Sequence, residues 1–365
     1  MSNERHPLMP DETIHKILIS STSRFVGCYE NDDLLISHAW QHFSNSNGLI
    51  REEENPVSRS AFVLAFQTGG YEKAAGVVVP DYSHIGEIVC SLLSVLYGKR
   101  FDSHGLLEGS GFFNTPDLTV YNHICNHKLP FNSHKARRCF SVPLNLEHFK
   151  AVDKLLLSRE IDPDFKAKLF AACKFYCQAI QTIESDPEVA YLHLITSGEI
   201  ISSHYSYEQE DVLDAVTLNY LAEIRTQMPN GDKITRHISK RLLSIKKKFV
   251  KSLTSLIDDE FFIQSETSRE IGHFKSDDIE KRIGSAYDLR SKYVHIGAPF
   301  GNWIKPRGRL QDIQFDRPVV TDNDYAKVLE KAPTFTGLER IIRYCILKFM
   351  VSNGITDLDS IEPET

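Results

Sequence analysis

A chain of 365 residues is long enough to form two domains, each with its own hydrophobic core. The composition, with 41% hydrophobic and 25% charged residues, is typical of a folded protein and excludes a low-complexity or disordered chain. A formal net charge of −7 excludes a protein that coats nucleic acid through its overall charge, so contact with RNA requires a local basic surface.

The apolar runs and the cysteines favour a cytoplasmic protein. No apolar run approaches the roughly 18 residues that a membrane span needs, and the first residues lack the pattern of a signal peptide. The seven cysteines are odd in number and dispersed through apolar sequence, which is typical of reduced thiols. We therefore expect a cytoplasmic protein without membrane contact.

Residues 1–160 predict an α+β domain. Short β-prone runs occur at 61–66, 76–79 and 139–144, and residues 84–97 have the pattern of a helix. Three stretches rich in glycine, asparagine, serine, proline and charge are predicted to be loops, namely 44–56, 101–116 and 126–138.

One local cluster in this domain, His123, Cys125 and His127, consists of residue types that bind metals. Zinc takes nitrogen and sulfur ligands, and alternate residues of an extended segment point to the same side. The spacing matches no common zinc module, so a polar loop is the simpler interpretation. We expect no metal and no cofactor, and a zinc-dependent activity in this half stays as an alternative.

Helical patterns dominate from residue 161 to 355, and residues 356–365 form a tail. An amphipathic helix over 147–160 leads out of the first domain. Pro163 and Pro187 each follow an aspartate, and this pair predicts an N-cap followed by the first position of a helix. The second part of the chain is therefore expected to be an all-α bundle.

The helix that begins at Pro187 has a carboxylate on its inner stripe. Leu192, Ile195 and Glu199 occupy successive positions of that stripe, where a charged residue is unusual. Glu199 either has a functional partner inside the bundle or lies at the wet edge of the stripe.

Two further helices are predicted before residue 260. One begins near Ser206 and ends before the turn at 228–231, and the other covers 233–257. The second helix has a basic face formed by Arg236, Lys240, Arg241, Lys246, Lys247, Lys248 and Lys251. Such a face is typical of contact with an RNA backbone and equally of a solvated helix surface.

The stretch 276–297, SDDIEKRIGSAYDLRSKYVHIG, predicts one helix with caps at both ends. Asp277 and Glu280 resemble a capping box, and Gly297 stands where a helix ends. We name this element the motif helix, because an arginine and a histidine lie near its end.

Arg290 and His295 of the motif helix suit the cleavage of RNA. Histidine titrates near neutral pH and moves protons, while a guanidinium stabilises an anionic phosphorus. The two residues are roughly 140° apart around the axis and about 7.5 Å apart along it. They can therefore meet only across a groove, for example at a second helix or a second subunit.

The long segment 298–333 combines a tryptophan with cations. Trp303 stands close to Lys305, Arg307 and Arg309, and an aromatic ring among cations is typical of contact with single-stranded RNA. The alternative is a surface loop held in place by one tryptophan. A final helix is predicted to begin at the capping box of Thr336 and Glu339 and to end at Gly354.

The sequence YDLRSKYVHIG at 287–297 resembles the R-x4-6-H motif of HEPN ribonucleases, most closely that of the ApeA-like branch. In that family a short polar residue follows the arginine, a glycine ends the helix after the histidine, and the motif lies late in an all-helical bundle. The resemblance covers roughly 163–354. It implies a HEPN-like helical bundle acting as a metal-independent endoribonuclease.

The resemblance also implies roles for individual residues. His295 is expected to move the proton, Arg290 to stabilise the phosphorane and Glu199 to orient the arginine. Ser291 and Lys292, which follow the arginine, are expected to contact the RNA substrate.

The biological setting implied by the resemblance is that of a toxin or antiphage-defence effector. Motif helices of two subunits face each other in HEPN nucleases, so a homodimer with a composite cleft is expected. The N-terminal domain is then expected to restrain or trigger the bundle in response to a regulatory ligand or an antitoxin.

The main alternative is a catalytically silent HEPN domain that serves dimerisation and the binding of RNA or a partner. Many HEPN nucleases carry Asn, Asp or His at the position of Ser291, and this difference keeps the alternative open. Replacing Arg290 or His295 with alanine would then leave the biological effect intact.

Overall fold

The computed structural model describes residues 13–39, 59–69, 81–109, 112–120, 123–208, 213–242, 245–267, 269–306, 310–316 and 318–362. Within these residues the fold is mixed, with a six-stranded antiparallel sheet and many helices. The strands all lie before residue 114, and helices dominate from residue 163 onward. The loop predicted at 44–56 and the strand predicted at 76–79 lie outside the described residues.

The six strands are β1 (Thr13–Ser21), β2 (Tyr29–Glu30), β3 (Leu34–His38), β4 (Ser60–Thr68), β5 (Phe101–Gly109) and β6 (Phe112–Phe113). Their order in the sheet is β2-β3-β4-β1-β5-β6. Ile17 and Ile19 of β1 are fully buried on the face that helix α1 (Ser83–Tyr97) covers. Gly86 permits this close packing, because a Cβ there would lie 2.8 Å from Cγ2 of Ile17.

The loop predicted at 101–116 is wrong, because it contains β5 and β6. Two polar residues of β5 are buried and have partners that are distant in sequence. Asp102 accepts a hydrogen bond of 2.5 Å from Arg59, and Nε2 of His104 lies 2.7 Å from Oγ of Ser20. Because these partners are distant in sequence, the residue pattern alone does not reveal a buried strand.

The strand predicted at 139–144 is also wrong, although the segment is largely buried. Phe140 has a φ of 48°, in the left-handed region that interrupts a strand. The guanidinium of Arg343 donates to the carbonyl oxygens of Cys139 at 2.7 Å and of Phe140 at 3.0 Å. A buried side chain thus satisfies carbonyls that a neighbouring strand would otherwise pair.

After α1 the helices of the described residues are α2 (Lys154–Leu157), α3 (Pro163–Thr182), α4 (Pro187–Ser202), α5 (Ala215–Gln227), α6 (Gly231–Leu242), α7 (Ile245–Ser255), α8 (Asp259–Ile263), α9 (Ile279–Ile296), α10 (Gly301–Ile304), α11 (Asn323–Lys331) and α12 (Phe335–Ser352). None of them combines the length and the apolar character needed to cross a membrane. Asp162 and Asp186 cap α3 and α4 through their side chains, as the Asp-Pro pairs predicted.

The remaining helix predictions are corrected in part. The predicted helix at 147–160 is a 3-10 helix over Leu146–Ala151 followed by the short α2. The start predicted near Ser206 is wrong, because α5 begins at Ala215 after the Asp214 cap. The helix predicted over 233–257 corresponds to α6 and α7, with residues 243–244 outside the described part.

The N-terminal cap predicted for the final helix is wrong. Thr334 caps α12 by accepting a hydrogen bond of 3.0 Å from the amide of Gly337. Glu339 is fully buried and binds Arg137 through both carboxylate oxygens, at 2.9 and 2.7 Å. The Thr-x-x-Glu pattern therefore reflects a buried ion pair and not a capping box.

One cluster of buried apolar side chains continues from the sheet through α1 into the helices. α1 packs on α3, and α12 packs against α1, α3, α4 and α7. The motif helix is α9, which packs against α4, α7 and α11. Its neighbours therefore determine which of its side chains are held and which remain exposed.

Candidate functional site

The motif helix ends in a left-handed turn immediately after the histidine. It begins at Ile279 after Asp278, whose side chain makes no capping bond, so the capping box predicted at Asp277 is wrong. Gly297 has a φ of 65°, and its amide donates to the carbonyl of Tyr293 at 2.9 Å. A residue with a Cβ is strained in this conformation, so glycine fixes the place where the helix stops.

Arg290 lies on the inner side of α9 and is only 30% exposed. Its Nη2 lies 3.7 Å from Oε2 of Glu199 on α4, whose side chain is 20% exposed. The fold thus brings together two of the sequence-predicted site residues. Both are half-buried, so their attraction is less screened than that of a surface pair.

Tyr287 completes this cluster and was missed in the sequence analysis. The carbon of the Arg290 guanidinium lies 5.8 Å from the centre of its ring. Burial raises the pKa of the Tyr287 phenol, and the charge of Glu199 and a hydrogen bond to that carboxylate raise it further. The spacing of three residues from Arg290 was the available signal, because such residues are neighbours on a helix surface.

His295 is exposed at the last turn of α9. The residues on either side are apolar and exposed, Val294 by 53% and Ile296 by 70%. Arg290 contacts α4 whereas His295 projects from the opposite side of the helix, so the two side chains diverge within one chain. The fold of a single chain does not bring the arginine and the histidine together.

Lys292 faces α11, and Ser291 beside it is half-buried. The Lys292 ammonium lies 5.6 Å from the ring centre of Tyr325. This cation–π contact directs the lysine along the side of α9 that faces α11. Neither residue contacts the Arg290 cluster through a hydrogen bond in the described part of the chain.

Trp303 is half-buried and engaged within the chain. Its indole Nε1 donates to the carbonyl of Leu329 at 2.8 Å. The side-chain amide of Gln314 donates to the carbonyl oxygen of Trp303. This arrangement fits a tryptophan that holds a surface segment in place. Lys305 is exposed just after α10. Arg307 and Arg309 lie outside the described residues.

Glu188 anchors the segment that follows the motif helix and was also missed. Its Oε1 accepts hydrogen bonds from the amides of Phe300 at 2.5 Å and Gly301 at 2.8 Å. Tyr325 donates to the carbonyl of Pro299 at 3.0 Å. The segment that directly follows the turn at Gly297 is therefore fixed by two side chains. No local pattern reveals these contacts, because they join residues more than 25 positions apart.

The His-Cys-His cluster of the N-terminal half is dispersed. His123 is exposed, whereas Cys125 is buried near Arg59 and burial raises the pKa of its thiol. Nδ1 of His127 lies 2.9 Å from the carbonyl oxygen of Asn132. Within the described residues, no group of three or more histidine, cysteine or acidic side chains is arranged to hold a metal ion.

Comparisons of the chain with protein-family models, with curated proteins and with solved structures gave no match. What bears on function is therefore the chemistry of the residues themselves. The end of α9 offers a guanidinium held by a carboxylate and, on its other side, an exposed imidazole. Together these groups can bind an anion and move a proton.

Proposed function

We propose that this chain is a HEPN-like endoribonuclease that cleaves RNA through Arg290 and His295 without a metal ion. The observation that carries the proposal is the ion pair of 3.7 Å between Arg290 and Glu199. The resemblance to ApeA-like HEPN proteins implies an acidic residue of the second bundle helix beside the motif arginine. Glu199 belongs to α4, the second long helix of the bundle.

In the proposed reaction the ribose 2′-hydroxyl attacks the neighbouring phosphorus. A bond forms between O2′ and phosphorus and the bond from phosphorus to O5′ breaks, which gives a 2′,3′-cyclic phosphate and a 5′-hydroxyl. His295 moves the proton at the 2′-hydroxyl or at the leaving oxygen. Arg290 stabilises the extra negative charge on the phosphorane.

The held guanidinium supports this role for Arg290. A guanidinium has five N–H donors, and a single carboxylate occupies only part of them. The remaining donors are available to phosphate oxygens because the side chain is 30% exposed. A cation whose orientation is fixed in advance stabilises a transition state without reorganisation.

We propose that the active enzyme is a homodimer in which the α9 helices of two copies face each other. The divergence of Arg290 and His295 requires it, because only a second copy can bring a histidine opposite each arginine. The exposed side chains of Val294 and Ile296 beside His295 favour such a contact, since a second copy would cover them.

The same resemblance suggests the setting in the cell. We propose a cytoplasmic toxin or antiphage-defence effector whose residues 1–160 receive the activating ligand or bind an antitoxin. The extensive contact between α1 and the bundle gives such a signal a physical route to the site.

The decisive test is cleavage of single-stranded RNA in the presence of EDTA. Replacing His295 or Arg290 with alanine is expected to lower the rate by at least about a hundredfold, the usual contribution of a general acid–base or charge-stabilising group. His123→Ala is the matched control, because this histidine is also exposed but lies outside the site. Light scattering on the same samples reports whether each variant remains dimeric.

Cleavage by His295→Ala at the wild-type rate would rule out the proposed mechanism. Loss of cleavage on adding EDTA to the wild type would instead indicate a metal-dependent reaction.

The second candidate is the catalytically silent binding module. The observation that favours it is the divergence of Arg290 and His295 within one chain, together with Ser291 after the arginine. It predicts that the wild type and His295→Ala have equal effects when produced in cells. The nuclease predicts growth arrest with the wild type alone.

A further inference from the structure

A basic groove lies between α7 and α9 and has a volume of about 650 Å³. Five lysines line it, namely Lys246, Lys247, Lys251, Lys281 and Lys331, and they face three carboxylates. The lining is therefore positive in a chain whose net charge is −7. Lys331 brings the end of α11 into the same surface.

One ion pair fixes the two helices that form the groove. Nζ of Lys246 on α7 contacts both carboxylate oxygens of Asp288 on α9, each at 2.7 Å. The pair spans the gap between the two helices. Lys251, Lys281 and Lys331 are exposed around this pair.

The groove runs along the side of α9 that carries the motif histidine. Lys281, Asp288 and His295 are spaced seven residues apart, and each step of seven turns only about 20° around a helix axis. The three residues therefore form a line along α9, and His295 lies about 10.5 Å beyond Asp288. Arg290 lies on the opposite side, so a ligand in the groove meets the histidine of its own chain first.

We propose that this groove binds the phosphate backbone of the single-stranded RNA whose cleavage His295 assists, which rests on the proposed function. Each chain of the dimer would hold the strand on its lysines and bring its histidine to the scissile phosphate. The arginine at that phosphate would come from the partner. RNA binding and stabilisation of the charged transition state are thus divided between two copies of the chain.

The composition of the groove favours a nucleic acid over a protein partner. Val250 is the one aliphatic side chain among the described residues that line it. Protein interfaces are depleted in lysine and depend on buried aromatic or aliphatic anchors. Lysine ammonium groups, in contrast, bind phosphates as point charges.

The test measures binding separately from cleavage. The probe is a fluorescent 2′-O-methyl RNA of twelve nucleotides, which the proposed reaction cannot cleave because it lacks a free 2′-hydroxyl. The full chain is compared with the triple variant Lys247→Gln, Lys251→Gln and Lys281→Gln. The matched control is Lys128→Gln, Lys150→Gln and Lys174→Gln, which removes the same charge from exposed lysines outside the groove.

The groove variant is expected to bind the probe at least about tenfold more weakly, and the control to bind within about twofold of the wild type. For single strands each lost phosphate contact lowers the slope of log K against log salt by about 0.7, so three contacts lower it by about 2. Equal affinity of the groove variant and the wild type, or no binding of the probe by the wild type, would overturn the inference.

Two further arms separate the possible failures. In the first arm, a polyglutamate peptide replaces the RNA probe. If the peptide binds as tightly as the probe and the groove variant no longer binds it, the ligand is an acidic protein partner and the RNA proposal is overturned. If the groove binds the probe but the wild type does not cleave unmodified RNA, the proposal of RNA binding is supported and the proposal of a nuclease is overturned. If cleavage depends on His295 but the groove variant binds the probe normally, the nuclease is supported and RNA binding by the groove is overturned.

Discussion

Arg290 is held from two directions by side chains that have different functions. Glu199 supplies a negative charge 3.7 Å away, and the ring of Tyr287 lies 5.8 Å from the guanidinium carbon. The phenol of Tyr287 also donates a hydrogen bond to Glu199, so the carboxylate contacts both the arginine and the tyrosine. Replacing one member of such a cluster therefore loosens the other two.

For the proposed nuclease we predict that Glu199→Gln lowers the rate of RNA cleavage by about tenfold, equivalent to about 1.4 kcal/mol, while the protein remains folded and keeps the oligomeric state of the wild type. Glutamine keeps the shape and the hydrogen bond from Tyr287 but removes the charge that orients Arg290. The measurement is the steady-state rate on a short RNA. Glu160→Gln, an exposed carboxylate distant in sequence from the site, is the control.

A rate of the Glu199→Gln variant within twofold of the wild type would leave Glu199 with a structural role only. Tyr287→Phe separates the two contacts, since it keeps the ring beside Arg290 and removes only the phenol. The expected loss of cleavage rate for Tyr287→Phe is smaller, roughly fivefold or about 1 kcal/mol, because only one neutral hydrogen-bond donor is removed.

The end of the motif helix is controlled by its last glycine. Gly297 has a φ of 65°, and no other group lies within 4 Å of the position where a Cβ would stand. A substitution there strains the backbone but causes no clash. The segment beyond it is held by Glu188, so the strain acts on the short turn that carries His295.

We predict that Gly297→Ala lowers the free energy of unfolding by about 1 kcal/mol, because alanine is disfavoured in the left-handed region. The rate of RNA cleavage is expected to fall by more than the loss of stability alone explains, since the strained turn displaces His295. Gly297→Asn is the matched comparison, because asparagine tolerates this conformation and should retain most of both properties. Urea unfolding and RNA cleavage on the same samples give the two quantities.

Equal losses in the alanine and asparagine variants would show that the lost flexibility of glycine, and not the left-handed conformation, is responsible.

Sequence analysis succeeds where an element is determined by its own residues. α3 and α4 begin as predicted because Asp162 and Asp186 bond to amides three residues ahead. β5 was missed because its buried Asp102 and His104 depend on Arg59 and Ser20, which lie 43 and 84 positions away. Local patterns contain no information about such partners.

The same limit applies to the site. The C-terminal end of the motif helix follows from one stretch of sequence, because Gly297 stops the helix just after its histidine. Tyr287 was missed although it lies three residues from Arg290, because its role depends on Glu199 of another helix. Glu188 was missed because its partners, the amides of Phe300 and Gly301, lie 112 and 113 residues away.

Across the whole molecule, buried charges join the sheet region to the bundle. Arg137 is 1% exposed and donates to Glu339 of α12, to Glu266 and to the carbonyl of Gly98. Glu339 also accepts a hydrogen bond from the hydroxyl of Tyr176 on α3. The boundary predicted at residue 160 is therefore crossed by hydrogen bonds and by a continuous core.

We predict that Glu266→Gln lowers the free energy of unfolding by about 3 kcal/mol at pH 7, because it leaves the buried Arg137 with one fewer counter-charge. Burial raises the pKa of Glu266, but the charge of Arg137, its hydrogen bond and the nearby charges of Lys99 and Arg343 together outweigh burial, so the pKa lies below its usual value of 4.5. The stabilisation is then complete above pH 4.5 and is lost as the pH falls through the lower folded-state pKa.

Urea unfolding of the wild type and Glu266→Gln at pH 7 and at about pH 3.5 checks both parts of this prediction. The difference between the two proteins should be large at neutral pH and should shrink in acid. A difference that is independent of pH would show that the charge of Glu266 is not what stabilises Arg137. Glu160→Gln serves again as the control.

Arg343, close to the end of the chain, completes hydrogen bonds to segments that are synthesised much earlier. Its guanidinium donates to the carbonyls of Val95 and Leu96 at the end of α1 and to those of Cys139 and Phe140. These four oxygens remain without their donor until the ribosome has extended the chain past α12, well after the motif helix has been made. A nascent chain therefore carries the proposed catalytic residues before its fold can close around them.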